Sequence, residues 1–271
     1  MNRKRITAEN DTFFQYLKKI YQYRSLIRVF TLKDIKSNYS QTLFGILWVI
    51  IKPLIILGMF TLFFDKLIEL ETENIPYPIY AFIGMTVWYY FTNIISQSGT
   101  LFNNNDLVKK IYFPKIILLF SKTLVGFFEF LVSFIILMGL MMVYGFFPSW
   151  KIIFLPLIII MITLSGMTIS IWLSALSIKF RDLQHIVPQL VNFGIWFTPV
   201  FYPTTIIPSP YQDWLYYLNP LASVIHFFRW ILLGTQTPNL FYFISFIFIL
   251  IFFCLGVRFF SKLEKNMADY V

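Results

Sequence analysis

Long, nearly uncharged apolar runs are the feature that most constrains the fold of this chain. A helix needs about 20 apolar residues to cross the roughly 30 Å of hydrocarbon in a bilayer. The sequence holds six candidate runs, at residues 43–64, 79–101, 116–147, 152–178, 186–201 and 240–257. Helices satisfy their own backbone hydrogen bonds and are therefore able to span lipid. The sequence predicts an all-α polytopic membrane protein with six transmembrane helices.

The composition excludes most soluble classes of protein. Of 271 residues, 58% are hydrophobic and 13% are charged, and the mean hydropathy is +0.71. A soluble domain carries about 25% charged residues. The single cysteine, Cys254, permits no intramolecular disulfide, and two histidines are too few for a metal cluster. Soluble enzymes, nucleic-acid binders and secreted disulfide scaffolds are excluded, and no metal site is predicted.

The distribution of basic residues predicts the orientation. Six spans put both termini on one side of the membrane. With the termini inside, seventeen Lys and Arg lie on the cytosolic side and three on the outside. The positive-inside rule therefore predicts cytosolic termini. We assign the net charge of +9 to topology and contact with membrane lipids, and not to binding of nucleic acid.

The chain reads as one transmembrane domain over 1–271. Residues 1–42 are predicted to form a basic amphipathic helix in the cytosolic interface, because Thr12 and Gln15 make a capping box before an apolar stripe. That helix is either a membrane anchor alone or a collar that positions a cytosolic partner. The remaining parts are spans one to five (43–203), an external segment (204–234), span six (240–257) and a cytosolic tail (258–271).

The external segment has strong helix-end signals. Asn219 is predicted as an N-cap, Pro220 as the first helical residue and Gly234 as the residue after the end. The helix between them has about 14 residues and extends about 21 Å, which is too short to cross alone. Residues 211–218 predict a shorter helix before it. The pair is either an external re-entrant hairpin that lines a path or an ordinary amphipathic loop.

Motifs for catalysis are absent from the sequence. No Gly is followed by Lys, so there is no phosphate-binding P-loop, and HExxH, GxSxG and CxxC are missing as well. We therefore predict that the chain is not an enzyme and carries no cofactor of its own.

Two ionisable residues lie inside predicted spans. Lys52 at the centre of a lone helix would cost about 2.5–3.5 kcal/mol on insertion scales. It either snorkels or pairs structurally, or it faces an anionic substrate. Glu129 is expected to find its partner on another helix.

Aromatic residues inside the spans offer two readings. Most Tyr and Trp form interfacial belts in membrane proteins. Aromatic faces also stack on sugar rings, and a path for carbohydrate would use such walls. With Lys52, the candidates for a substrate path are Trp88, Tyr89, Tyr90, Phe91, Trp196 and Phe197.

Four ordered motifs resemble those of the membrane subunits of polysaccharide-exporting ABC transporters. They are Lys33-Asp34, Tyr39, Phe44-Gly45, Trp48 and Pro53-Leu54 within 23–54, the run NNNDLVKKIYFPK at 103–115, the run FRD at 180–182, and the run LNPLASVIHFFRWILLG at 218–234. The likeness is greatest to O-antigen exporters of lipopolysaccharide synthesis. Lys52 departs from the family pattern, in which a neutral residue such as Gln is commoner.

The resemblance implies a half-transporter of the bacterial inner membrane. Two copies would form a homodimeric channel, and two copies of a separate ABC ATPase would bind ATP and Mg and drive lipid-linked polysaccharide outward. The implied ATPase-coupling residues are Asn105, Asp106, Leu107, Lys109, Lys110, Ile111, Arg181 and Asp182. The implied external gate contains Tyr211, Trp214, Asn219, Pro220, Phe227, Arg229 and Trp230.

Alternative functions stay open at this stage. Teichoic-acid and capsule exporters share the same motifs. A drug or small-lipid efflux permease would have the same architecture but a different channel width and lining. A multispan enzyme such as a glycolipid acyltransferase is disfavoured, because His185 and His226 fall on opposite predicted sides and neither has an obvious acid within one helical turn in the same element.

Overall fold

A computed structural model describes residues 13–40, 42–68, 72, 75–96, 98, 113–177, 179–180, 182–209 and 211–266. Every regular element within these ranges is helical, which confirms the predicted all-α class. The α-helices are α1 (Phe13–Gln22), α2 (Arg24–Tyr39), α3 (Trp48–Phe60), α4 (Tyr77–Ser96), α5 (Ile116–Val143), α6 (Leu155–Ser177), α7 (Leu183–Gly194), α8 (Tyr211–Leu218), α9 (Pro220–Leu233) and α10 (Ile244–Asn266).

Short helical turns extend several of these helices. A 3-10 turn at Gly45–Leu47 precedes α3, and a π-helix at Thr61–Leu67 follows it. Similar 3-10 turns at Trp150–Phe154 and Leu240–Phe243 precede α6 and α10. These additions lengthen α3, α6 and α10 toward the thickness of a bilayer.

Four helical stretches within the described ranges are long and apolar enough to cross a membrane. They are Gly45–Asp65, Ile116–Val143, Trp150–Ser177 and Leu240–Glu264. They coincide with the first, third, fourth and sixth predicted spans. The chain is thus a multi-pass membrane protein.

The predicted second and fifth spans take a different form. Helix α4 has 20 residues and extends about 30 Å, but it is rich in Tyr, Thr and Asn and most of it is buried by the other helices. Helix α7 and the turn at Ile195–Phe197 together extend about 22 Å, so the continuous helix is shorter than a crossing requires. The count of six spans stays a prediction.

Small and hydroxyl-bearing residues bring the central helices close together. Helix α4 packs against α5, α6 and α9. The Ser170 hydroxyl of α6 donates to the Ile94 carbonyl of α4 at 2.8 Å, and a Cβ on Gly166 would lie 3.0 Å from the Ile94 side chain. Close backbone approach through small residues is typical of helix packing in membranes.

An apolar cluster joins the N-terminal helices to the bundle. Phe30 of α2 and Ile20 of α1 are buried against the first turns of α5 and the last turns of α10. Phe113 and Phe260 are members of the same cluster. The N-terminal helices therefore pack on the bundle, and their position at the membrane surface stays a prediction.

Candidate functional site: a polar cavity within the helix bundle

A polar cavity of about 230 Å³ lies between α3, α4 and α5. Aromatic, hydroxyl, amide and charged side chains share its wall with aliphatic ones. The lining residues are Tyr39, Trp48, Val49, Lys52, Pro53, Ile56, Thr86, Tyr89, Tyr90, Asn93, Glu129, Phe130 and Ser133. Such a mixture of aromatic faces and hydrogen-bonding groups suits a polar organic ligand.

Glu129 is held by two donors from other helices. The Tyr39 hydroxyl at the end of α2 and the Asn93 amide of α4 both donate to its carboxylate at 2.5 Å. This confirms the expectation that Glu129 finds its partner on another helix. Burial, followed by the adjacent Glu129 carboxylate, raises the pKa of Tyr39, so that its hydroxyl stays protonated and remains a donor.

A second polar contact joins α2 to α5. The Lys122 ammonium lies 2.9 Å from the Asp34 carboxylate, with both side chains about four-fifths buried. Lys122 and Glu129 are two helical turns apart on α5 and use different partners. The C-terminal half of α2 is therefore tied to α5 at two levels.

Lys52 lines the same cavity from α3. Its side chain is exposed, and it forms no hydrogen bond or ion pair with any residue in the described ranges. Pro53 follows it inside the helix and supplies no N–H to the carbonyl of Val49. The cavity therefore contains a charged group without a partner in the described part of the chain.

The structure brings together three of the seven residues predicted for the substrate path. Tyr89 and Tyr90 line the cavity with Lys52. Trp88 and Phe91 turn into the core instead, where they are 4% and 5% exposed. Their rings lie 5.7 Å apart, and Trp88 packs against Gly194 of α7.

The other two path candidates lie outside the cavity. Trp196 is 55% exposed and Phe197 is 75% exposed, and both belong to the turn after α7. Their role as a path wall stays a prediction. Sequence reasoning missed Asn93 and Ser133 as cavity residues, although a polar residue inside an apolar run is a usable signal.

The ends of helix α9 match the sequence-based expectation. The Asn219 side chain accepts hydrogen bonds from the backbone N–H groups of Leu221 and Ala222, and Pro220 is the first helical residue. Gly234 takes a left-handed conformation, with φ of 70°. The Asn219 amide also donates to the Thr198 hydroxyl at 2.9 Å, which ties the cap to the segment after α7.

Arg229 lies at the contact between α9, α4 and the segment after α7. It is 4% exposed. Its Nη2 donates to the Val200 carbonyl at 2.9 Å, and its guanidinium carbon lies 3.5 Å from the centre of the Tyr80 ring. These contacts bring three elements together, as expected for a buried Arg.

The remaining gate candidates divide into packed and exposed residues. The Phe227 ring lies 4.2 Å from that of Phe243, and the Lys151 ammonium lies 4.4 Å from the Trp230 ring. Tyr211 and Trp214 of α8 are 65% and 59% exposed. The hairpin thus has one helix packed into the bundle and one at its surface.

Most of the predicted ATPase-coupling residues lie outside the described residues. These are Asn105, Asp106, Leu107, Lys109, Lys110, Ile111 and Arg181. Asp182 is described and is exposed immediately before α7. At the end of the predicted coupling segment, residues 103–115, the backbone N–H of Lys115 donates to the Glu264 carboxylate of α10, which ties the start of α5 to the last turn of α10.

Comparison with known proteins identifies the family to which the chain is similar. Residues 25–233 match the model of the ABC-2 type transporter membrane family. The chain is 27% identical to the O-antigen export system permease protein RfbA of Myxococcus xanthus over 226 residues, which cover 82% of this chain and 86% of that protein.

Two other relatives show a similar extent of likeness. The chain is 28% identical to the O-antigen export system permease protein RfbA of Klebsiella pneumoniae over 252 residues, covering 90% of this chain and 94% of that protein. It is 22% identical to the polysialic acid transport protein KpsM of Escherichia coli over 204 residues, covering 73% and 77%. The family match over 25–233 includes the cavity-lining residues and the α8–α9 hairpin.

Proposed function

The chain belongs to the ABC-2 type transporter family, and from this membership we propose that it is the permease subunit of an ATP-driven O-antigen exporter. The observation that carries the proposal is the likeness to O-antigen export permeases over most of the chain. A polar, aromatic-lined cavity among otherwise apolar helices supports a carbohydrate cargo.

We propose that two copies of this chain form the channel and that two separate ATPase subunits bind beneath them, with ATP and Mg held by the ATPase. The absence of a P-loop motif in the sequence supports a division of labour between subunits. Exposed apolar side chains on α3 and α7 supply surface for a second copy or for lipid; Ile55, Met59, Leu190 and Phe193 are examples. The assembly would lie in the bacterial inner membrane with both termini in the cytosol.

We further propose that α8 and α9 form the outward gate as a re-entrant hairpin. Nine of the 14 residues of α9 are buried, and the helix packs against α4 and α6. Hydrophobic constrictions can seal against ions by dewetting and still part for a large solute. An exporter at rest needs such a seal, and within the described ranges α9 is a short apolar helix suited to form one.

Complementation tests the function. In a strain deleted for its O-antigen permease, this chain and its cognate ATPase should restore O-antigen at the cell surface, whereas either subunit alone should not. The purified chain alone should hydrolyse no ATP. Robust hydrolysis by the isolated chain, or failure of the expressed pair to restore O-antigen in a host making the cognate glycan, would contradict the proposal.

A capsule exporter is the second candidate, favoured by the likeness to the polysialic acid transport protein. The same pair of subunits can be placed in a strain that lacks its capsule permease. Restored capsule without restored O-antigen would select this alternative.

A further inference from the structure

We propose that Lys52 binds the phosphate group through which the glycan is attached to its lipid carrier, and that the adjacent cavity receives the first sugar. The inference rests on the proposed export function and specifies the part of the substrate that this site recognises. Four observations carry it: the charge of Lys52, its depth, the chemistry of the cavity beside it and the apolar surface that follows it on α3.

The charge of Lys52 calls for an anionic partner. The residue lies inside the membrane-crossing stretch Gly45–Asp65 and is exposed, and no residue in the described ranges bonds to its ammonium. Lys122, the other lysine within a predicted span, has a carboxylate partner in Asp34. An intramembrane lysine is costly unless an anion or water reaches it. An anionic ligand would remove much of that cost.

The depth of Lys52 matches a lipid headgroup. Lys52 lies seven residues after Gly45, or about 10 Å along the helix axis. Helical side chains lean toward the N-terminus of their helix, which is the cytosolic end in the predicted orientation. The extended side chain therefore carries the ammonium back toward the cytosolic headgroup layer. Phosphate esters are the anionic groups that membrane lipids generally carry at that level, so we infer a phosphate as the partner of Lys52.

The cavity beside Lys52 offers what a sugar requires. Trp48 and Tyr89 supply aromatic faces, and Asn93 supplies amide groups. Pro53 leaves the Val49 carbonyl without its usual helical donor, so that this carbonyl can accept from a hydroxyl group. The cavity volume of about 230 Å³ is large enough for one sugar residue.

Glu129 does not neutralise Lys52 in this structure. Its carboxylate accepts from the Tyr39 hydroxyl and the Asn93 amide, and it forms no ion pair with Lys52. A carboxylate has about four acceptor positions, so Glu129 can still accept from a sugar hydroxyl. One side of the cavity is thus cationic and the other is a hydrogen-bond acceptor.

The apolar surface of α3 continues from Lys52 toward the bilayer centre. Leu54, Ile55 and Met59 follow it on α3 and are 43%, 52% and 67% exposed. A lipid tail could lie along these side chains while its phosphate contacts Lys52. Along α3, the proposed phosphate site therefore comes before the surface for the lipid tail. A lipid of the cytosolic leaflet has its headgroup and tail in the same order.

Stimulation of ATP hydrolysis by a short lipid phosphate tests the inference. The complete complex of this chain and its ATPase is placed in phosphatidylcholine nanodiscs, and farnesyl diphosphate is titrated, with farnesol as the control that lacks phosphate. We expect stimulation by farnesyl diphosphate only. Lys52→Gln should raise the half-maximal concentration at least about tenfold, as expected for loss of one charge-assisted bond. Lys52→Arg should retain most of the response.

A matched variant controls for general surface charge. Lys36→Gln removes the same charge from an exposed position of α2 and should respond like the unmodified complex. An equal loss in Lys36→Gln and Lys52→Gln would overturn the inference, because it would assign the effect to the membrane surface. An unchanged response in Lys52→Gln, with the complex intact by size-exclusion chromatography, would also overturn it.

The outcomes separate a membrane phospholipid from the lipid-linked substrate. If Lys52→Gln loses tightly bound phospholipid by native mass spectrometry but responds normally to farnesyl diphosphate, the site binds structural lipid and the inference fails. Glycan export by the unmodified complex is measured in the same preparation. If the unmodified complex exports glycan and Lys52→Gln responds normally to farnesyl diphosphate, this inference alone fails. If the unmodified complex exports no glycan, the proposed function is contradicted.

Discussion

At the scale of single residues, two groups of polar side chains inside this bundle bond to one another across helices. Asp34 pairs with Lys122, and Glu129 is held by Tyr39 and Asn93. Removing one member of such a group leaves a buried donor or acceptor without its partner, which costs about 1–3 kcal/mol. These residues therefore form polar contacts that hold α2, α4 and α5 together. Lys52 differs from these residues because it has no polar partner in the described ranges.

Replacement of Glu129 tests its contribution to stability through the contacts with Tyr39 and Asn93. Glu129→Leu should lower the free energy of unfolding by about 1–3 kcal/mol, because the Tyr39 hydroxyl and the Asn93 amide lose their acceptor. Glu129→Gln should cost less, since one acceptor oxygen remains. Thermal denaturation of the detergent-purified protein measures both effects. Tyr39→Phe should be destabilising in the unmodified chain and nearly neutral in Glu129→Leu; equal costs in both backgrounds would show that the contact is not coupled.

Gly84 tests the close approach of α4 to the segment after α7. A Cβ at this position would lie 2.6 Å from the Val200 carbonyl oxygen, which is the acceptor of Arg229. Gly84→Ala should therefore destabilise the protein by about 1–3 kcal/mol through overpacking. Gly139→Ala is the matched control, because no described atom would lie within 4 Å of its Cβ. Equal melting temperatures for the two variants would refute this packing.

At the scale of elements, local signals predict helix ends well and tertiary roles poorly. Asn219 and Gly234 act through hydrogen bonds within a few residues, so the limits of α9 could be predicted from the sequence. The central, buried position of α4 could not, because much of its burial is supplied by α6, α7 and α9, which come far later in the chain. The cavity depends on Tyr39 and Glu129, which are 90 residues apart. Periodicity within one helix carries no information about such a contact.

The hairpin of α8 and α9 predicts a pattern of chemical accessibility. In a Cys254→Ala background, single cysteines along 206–233 and 88–91 are probed with a membrane-impermeant thiol reagent. Positions 211, 214 and 218, which are exposed here, should react, while buried positions such as 224 and 228 should be protected. A gate should also change its reactivity when the ATPase is trapped with ATP. Uniform labelling independent of nucleotide would make the hairpin an ordinary loop.

The coupling segment predicts a contact with the ATPase. The spacing of four residues between Leu107 and Ile111 predicts that they share one helical face, and we expect that face to lie in an apolar groove of the partner. Replacing both residues with Asp should abolish glycan export while the protein remains in the membrane, as measured by immunoblotting of membrane fractions. Replacing both with Ala should give an intermediate defect. Unchanged export by a normally inserted double Asp variant would place the contact elsewhere.

At the scale of the whole molecule, the basic residues require more crossings than the four apolar stretches provide. With basic clusters kept inside, Gly45–Asp65 ends outside and Ile116–Val143 begins inside, so the chain must cross between them. The same reasoning applies between Trp150–Ser177, which ends inside, and Leu240–Glu264, which begins outside. Helices α4 and α7 lie at these two places. Positive-inside counting thus predicts that both cross the membrane.

The packing explains how two such helices could cross. Helix α4 is shielded by α3, α5, α6, α7 and α9, so its Tyr, Thr and Asn residues face protein and not lipid. A helix shielded in this way can cross the membrane with fewer apolar residues than a lipid-facing helix needs. Helix α7 is short, and the non-helical residues 198–203 after it are held by Arg229 and Asn219 inside the bundle. Irregular backbone is tolerated at membrane depth when protein surrounds it.

Cysteine mapping of the loops tests the six-crossing topology. Single cysteines replace Glu73, Asn104, Ser149, Lys179 and Ser209 in the Cys254→Ala background, and intact spheroplasts are treated with an impermeant maleimide. We expect labelling at positions 73, 149 and 209 from outside, and at 104 and 179 only after permeabilisation. Labelling of position 104 from outside would show that α4 does not cross, and labelling of position 179 would show that Trp150–Ser177 does not return to the cytosol. In the first case α4 would be an external plug, and the cavity beside Lys52 could not open toward the cytosolic leaflet. The topology test therefore also decides whether a lipid-attached substrate can reach this site from the side where export begins.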